Sequence, residues 1–252
     1  MTEAATLPTR RDEAWRYADI DALKALGLDA LDSWQDIAVP AGETVRDTFV
    51  IGSDAPELRR IRVTLGEGAR AEFFVTNVGG DYTRLEVEVT LARGAHFEFG
   101  GVTIGGGDAV REFVTTTIHA EPEATSNQTV RSVHWGTATG NFLGEIKVVK
   151  DAQKTDAAQD FKGLLLEAGA SANAVPQLEI FADDVKCAHG ATVGQLDEGA
   201  RFYMAARGLD PATAQRLLVQ AFIGDAFVEL DDEDAREELL NAALAKLEGA
   251  AL

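Results

Sequence analysis

From Thr48 onward, polar and apolar residues alternate along the chain, as in Arg60-Ile61-Arg62-Val63-Thr64-Leu65 and Arg84-Leu85-Glu86-Val87-Glu88-Val89-Thr90-Leu91. A period of about two predicts strands with one face buried. The strands also repeat. Val63-Thr64-Leu65-Gly66-Glu67-Gly68-Ala69 returns 26 residues later as Val89-Thr90-Leu91-Ala92-Arg93-Gly94-Ala95, each copy followed by an aromatic-rich strand. A partial third copy, Leu164-Leu165-Leu166-Glu167-Ala168-Gly169-Ala170, falls close to three further periods of about 25. Strand, Gly-Ala corner and strand at fixed spacing is the grammar of a parallel β-helix. A β-sandwich with similar hairpins would be written in much the same way.

The pattern differs at both ends. Between Asp12 and Leu31, the residues Trp15, Ile20, Leu23, Leu26 and Leu28 are set among charges, with Gly27 breaking the run, which predicts a short helical segment packed on the main body. After Gln195 the strand pattern stops. Asp210 before Pro211 reads as an N-cap followed by proline at the first helical position, with Leu217, Leu218, Ala221 and Phe222 as an apolar stripe. A last helix is expected over about Asp231 to Leu247, with Leu239, Leu240, Ala243, Leu244 and Leu247 on one face. Such a helical end would cap the solenoid's open edge or present a surface to a partner. The expected division is an N-terminal helical or irregular segment over 1–46, a mainly β core over 47–196 and a C-terminal helical region over 197–252.

Composition narrows the partners. Against 23 basic residues stand 42 acidic ones, a net charge of −19, which repels nucleic-acid phosphates and anionic membranes. One cysteine rules out an internal disulfide, and the start M-T-E-A-A-T-L-P-T-R-R lacks the apolar core of an export signal. A cytoplasmic protein is expected, without membrane or nucleic-acid contacts.

Candidate chemistry concentrates in Ala182 to Glu198, where seventeen positions hold the single cysteine, one of four histidines and four acidic residues. Cys187 and His189 are two apart, so on a strand they share a face. Thiolate and imidazole make a soft metal-binding pair, yet two ligands do not complete a zinc or iron-sulfur site. The missing ligands must come from elsewhere in the fold or from a partner. Lys186 and His189 beside Cys187 would lower its pKa; the plain alternative is a small buried hydrophobe. Asp183-Asp184 fits a hard cation but also an ordinary turn. His96, His119 and His134 read as satisfied polar residues on strands. Gly105-Gly106-Gly107 lacks the spacing of a nucleotide-binding loop and reads as a connection.

The segment D-D-V-K-C-A-H-G-A-T-V-G-Q-L-D-E resembles the SufD branch of the SufB/SufD family, scaffold components of iron-sulfur cluster assembly. The likeness continues upstream through Lys150-Asp151-Ala152-Gln153-Lys154-Thr155-Asp156-Ala157, L-L-L-E-A-G-A and P-Q-L-E-I-F-A-D-D-V, and downstream through R-F-Y-M-A-A-R-G-L; Glu13-Ala14-Trp15-Arg16-Tyr17 matches the family's N-terminal motif. The resemblance implies a right-handed parallel β-helix core flanked by helical regions. It implies pairing with SufB through the β-helix, with Cys187 and His189 at the interface where a transient cluster forms, none being held stably by this chain alone. It also implies binding of the ATPase SufC through the C-terminal helices, for which Phe202, Tyr203, Leu217, Leu218 and Phe222 are the candidate residues. On this reading the protein is not an enzyme, and the isolated chain could form a homodimer through its free β-helix edge. Against the family's pattern the chain is short, with a reduced region before the solenoid. The alternatives are a carbohydrate-active solenoid enzyme using Asp183 and Asp184, and an inert structural β-helix.

Overall fold

The computed structural model describes residues 7–248, so the first six residues, on which much of the leader reading rests, lie outside it. Within it the alternating segments form strands β1 (Trp34–Val39), β2 (Thr44–Ile51), β3 (Glu57–Leu65), β4 (Arg70–Asn77), β5 (Tyr82–Leu91) and β6 (His96–Gly105), then β7 (Val110–His119), β8 (Thr125–His134), β9 (Thr139–Val148), β10 (Asp156–Leu165), β11 (Ser171–Ile180) and β12 (Lys186–Gly194). Odd-numbered strands make one six-stranded sheet and even-numbered strands a second. Each strand pairs in parallel with the strand two places ahead. Consecutive strands therefore lie in opposite sheets, and the chain climbs through six coils of a parallel β-solenoid.

Period-two alternation turns one side of every strand inward. Register stacks those side chains into ladders, one of which runs Val63, Val89, Thr117, Ile146, Leu178. The step between rungs lengthens from 26 to 28, 29 and 32 residues. The first coils are filled by Phe73, Val75, Leu85, Val87, Phe97 and Phe99. Phe99 meets Phe113 edge-on at 5.5 Å, and Phe142 stacks on Phe161 at 5.8 Å. In the fourth coil the interior becomes partly polar. His119 shares a hydrogen bond with Ser126 Oγ, and His134 lies between the Gly105 carbonyl and Thr103 Oγ1. Burial holds both rings neutral, with pKa values lowered to about 4 and about 3. His96, half-buried, bonds Thr125 Oγ1 at 2.7 Å. Each ring thus has a polar partner, although His96 Nε2 and His119 Nδ1 are left without a hydrogen bond.

Three expectations need correction. The solenoid begins at Trp34, inside the stretch assigned to the N-terminal segment, because β1 is an edge strand whose exposed positions blur the alternation. The Leu164–Ala170 copy is out of phase. The corners after Leu65 and Leu91 lead from the first sheet to the second, whereas this one leads from β10 in the second sheet to β11 in the first. The C-terminal helices, finally, do not cap the last coil but pack on the outer face of the second sheet.

The N-terminal segment is a turn of 3-10 helix at Glu13–Trp15 followed by α1 (Ile20–Leu26) and α2 (Leu28–Asp32). Asp19 caps α1 by accepting from the Asp21 and Ala22 amides at 3.0 Å, and Gly27, at φ +84, turns the chain between the helices. Trp15, Leu23 and Leu31 pack with Leu58, Tyr82 and Val110 on the outer face of the first sheet.

The C-terminal region holds α3 (Glu198–Ala206), α4 (Pro211–Gly224) and α5 (Glu233–Glu248). Asp210 caps α4, accepting from the Thr213 amide at 3.0 Å, with Pro211 at the first helical position. Val219, Ile223, Phe227, Leu230, Leu239, Leu244 and Leu247 form a second core with Phe74, Val102, Ile104 and Val133 of the sheet. An ionic clasp reinforces it, in which the buried Arg131 of β8 bonds the carboxylates of Asp160 on β10 and Asp225 after α4. Burial alone would raise the Asp225 carboxyl, but the Arg131 bond and the nearby Lys162 hold it below its ordinary range.

Candidate open-end ligand pair

The sixth coil is built from β11 and β12, each paired on one edge only, so this end of the solenoid shows unpaired backbone groups. On β12, Cys187 is in register with Ala157, His189 with Gln159, Ala191 with Phe161 and Val193 with Gly163. Since Ala157, Gln159 and Phe161 are buried inside the solenoid, Cys187 and His189 share its inward face, as alternation predicts. At the end coil, however, inward is half open.

The two residues are unlike in exposure. Cys187 is half-buried against Ile146, Val148, Ala152 and Ala157, whereas His189 is exposed. Burial raises the Cys187 thiol pKa, and the negative Asp156 raises it further. The expected lowering by Lys186 and His189 is therefore overturned. Lys186 is the adjacent residue on a strand, so its side chain leaves by the opposite face. Asp156 belongs to β10 and approaches only through the pairing of β10 with β12, a juxtaposition that needs the register to be seen. A raised pKa leaves less thiolate at neutral pH. Alkylation of Cys187 at pH 7 should thus be slower than that of a free cysteine, rising about tenfold per pH unit until the raised pKa is passed. A rate at pH 7 equal to the free thiol's would contradict this.

Among the described residues, no group of three or more His, Cys, Asp or Glu side chains is placed to hold a metal ion. Cys187 and His189 remain half a site. Asp183 and Asp184 form the bend between β11 and β12, with the Asp184 amide donating to Gln153 Oε1 at 2.7 Å, which is turn geometry.

The helical candidates divide into two groups. Phe202 and Tyr203 on α3 and Leu217 on α4 are exposed, Phe202 to 77%. Leu218 and Phe222 instead line a groove between α4 and the outer face of β10 and β12, with Leu164, Thr192 and Leu196. The buried stripe of α4 is thus Ala214, Val219 and Ile223, and the apolar residues read as one stripe serve two faces. No described helix is long and apolar enough to cross a membrane.

The arrangement defines a class of protein, a parallel β-solenoid with an incomplete soft-ligand pair at one open end and a helical module docked along one sheet. Residues 46–222 match the family model described as SUF system FeS cluster assembly, SufBD core domain, and the chain belongs to that family. It is 40% identical over 110 residues to the iron-sulfur cluster assembly protein SufD of Escherichia coli, covering 44% of this chain and 26% of that protein. It is also 40% identical over 100 residues to the chloroplastic protein ABCI7 of Arabidopsis thaliana, covering 40% of this chain and 21% of that one. With SufD of Bacillus subtilis the identity is 28% over 156 residues, 56% of this chain and 36% of that protein. The matches thus span between a fifth and about a third of these relatives' lengths, and the resemblance to the SufD branch is borne out.

Proposed function

We propose that this chain is a non-catalytic, cytoplasmic scaffold subunit that pairs through the open edge of β11 and β12 with SufB and engages the ATPase SufC through its C-terminal helices. The observation that carries the reading is the position of Cys187 and His189. An incomplete ligand pair on the inward face of an unpaired coil is what an interface site requires, with the other ligands supplied across the joint. The cluster is cargo, formed at the joint and passed on, and the chain alone holds none stably. His189, exposed, is the ligand of this pair, and Cys187, half-buried with a raised pKa, supports it. The exposed Phe202, Tyr203 and Leu217 provide an apolar surface of the kind partners cover. Without SufB, the same edge would let two copies pair.

Tagged protein should co-purify with SufB and SufC from its own cells, and recovery of neither would overturn the assembly. His189→Ala should fold and retain both partners while cluster yield falls at least about tenfold, since loss of even outer-sphere support costs a metal site that much. An unchanged yield would remove His189 from the mechanism.

A further inference from the structure

The interior directly beneath His189 contains an amide that the fold leaves without a partner. One coil deeper the same register position is satisfied, where Gln128 Oε1 accepts from Thr115 Oγ1 at 2.5 Å and Gln128 Nε2 donates to Thr117 Oγ1 at 3.1 Å. Gln159 stacks on Gln128 in the next coil. There the opposite sheet places Gly144 in register with Thr115 and Ile146 in register with Thr117. Neither side chain can hydrogen-bond. The missing Cβ of Gly144 also makes the room that Gln159 fills, since a Cβ there would stand 2.3 Å from Gln159 Oε1. Gln159 is only 2% exposed, and both its Oε1 and its Nε2 lack a partner. A buried amide left in that condition is costly, and native folds rarely tolerate one without a use.

The layer beyond offers little choice. Inward positions on β11, in register with Phe142, Gly144, Ile146 and Val148, are Ala174, Pro176, Leu178 and Ile180. Inward positions on β12 are Cys187, His189, Ala191 and Val193, and His189 is the register partner of Gln159. The imidazole is the one side chain of this layer with strong donor and acceptor atoms.

We propose that the Gln159 amide is the hydrogen-bond partner that orients the His189 ring, engaging one ring nitrogen and leaving the other directed out of the open end toward a metal. The amide suits either tautomer, because Oε1 accepts from a ring N–H and Nε2 donates to a bare ring nitrogen. Ligating histidines are commonly held in this way through the nitrogen that does not bind metal. Gln159 is thus a positioning residue, a role that rests on the reading of His189 as an interface ligand.

The test uses the full chain alone, by nitrogen-15 NMR of the histidine rings and glutamine amides. Four histidines are few enough for His189→Ala to assign the His189 signals. In the wild-type protein one His189 tautomer should dominate, and the Gln159 amide signals should move when His189 is replaced by alanine. Gln159→Leu, which removes the orphan amide at similar volume, should return the tautomers to the mixture of free imidazole. If the amide signals are unmoved in His189→Ala and the wild type and Gln159→Leu share one tautomer ratio, an internal water satisfies Gln159 and the proposal fails. The wild-type readout decides even if a variant does not fold. None of these signals requires SufB or a cluster. A failure here is therefore distinct from an unchanged cluster yield in His189→Ala, which would sink the interface reading while leaving the hydrogen bond intact.

Discussion

Glu112→Gln is expected to destabilise the protein by about 3 kcal/mol, the low end of the cost of breaking a buried ion pair. Glu112 and Arg84 project from the outer face of the first sheet, where the N-terminal segment covers them completely. The Glu112 carboxylate accepts from Tyr82 Oη at 2.9 Å and Asn141 Nδ2 at 3.0 Å, and faces Arg84 Nη1 at 3.4 Å. The guanidinium is sandwiched against the Trp15 ring at 3.9 Å, while its Nε and Nη2 have no hydrogen-bond partner. Removing the charge of Glu112 leaves Arg84 buried with only Glu86, at 3.6 Å, to compensate. That residual contact is why the lower end of the range applies. The double variant Arg84→Met, Glu112→Leu should recover only part of the loss, because apolar residues can replace the buried pair but the Tyr82 hydroxyl loses its acceptor. Urea unfolding of the wild type, Arg84→Met, Glu112→Leu and the double variant gives the coupling directly. A Glu112→Gln change below about 0.5 kcal/mol would show that water or Glu86 already carries the Arg84 charge.

This network illustrates what the sequence could and could not reveal. Trp15 and Tyr17 were legible as part of an N-terminal motif, and the helical segment around Leu23 was expected to pack on the body. That it packs over Arg84 and Glu112 was not legible, since both read as ordinary polar positions of alternating strands. Arg84-Leu85-Glu86-Val87 alternates correctly, yet alternation distinguishes inside from outside and is silent about which outside face a helix later covers. The coil repeat was visible where the step is 26 residues, at Val63 and Val89, and became misleading where it lengthens to 32, which put Leu164–Ala170 at the wrong corner. Cys187 and His189 were found because residue type and spacing survive without a register. Gln159 was missed for the opposite reason. Its interest comes from Gly144 and Ile146 replacing Thr115 and Thr117 on the facing sheet, and only the recurrence of Gln128 as Gln159, 31 residues apart and each on a strand, hinted at a ladder.

Phe227→Ala should cost about 3–5 kcal/mol, the range for truncating a fully buried phenylalanine, and the loss should fall on the helical module more than on the solenoid. Phe227 is completely buried where the chain turns between α4 and α5, edge-on to Phe74 of the sheet with ring centroids 6.5 Å apart. Ala226 beside it approaches the sheet backbone so closely that a Cβ on Gly100 would stand 2.1 Å from its carbonyl oxygen. Phe227 and this close approach join the wider apolar core of the module, with the Arg131–Asp225 clasp alongside. Because the coils pair through their own backbone, loss of the module leaves the strand ladders intact. Hydrogen exchange should therefore show α4 and α5 losing protection while β4, β6 and β8 keep theirs. Gly100→Ala, which wedges the same joint from the sheet side, should give the same pattern. Uniform loss of protection in solenoid and helices would mean that the two fold as one cooperative unit. If the chain pairs as proposed, detaching the module while preserving the open end of β11 and β12 should weaken binding of SufC and leave pairing with SufB, and loss of both together would overturn the assignment of two separate docking surfaces.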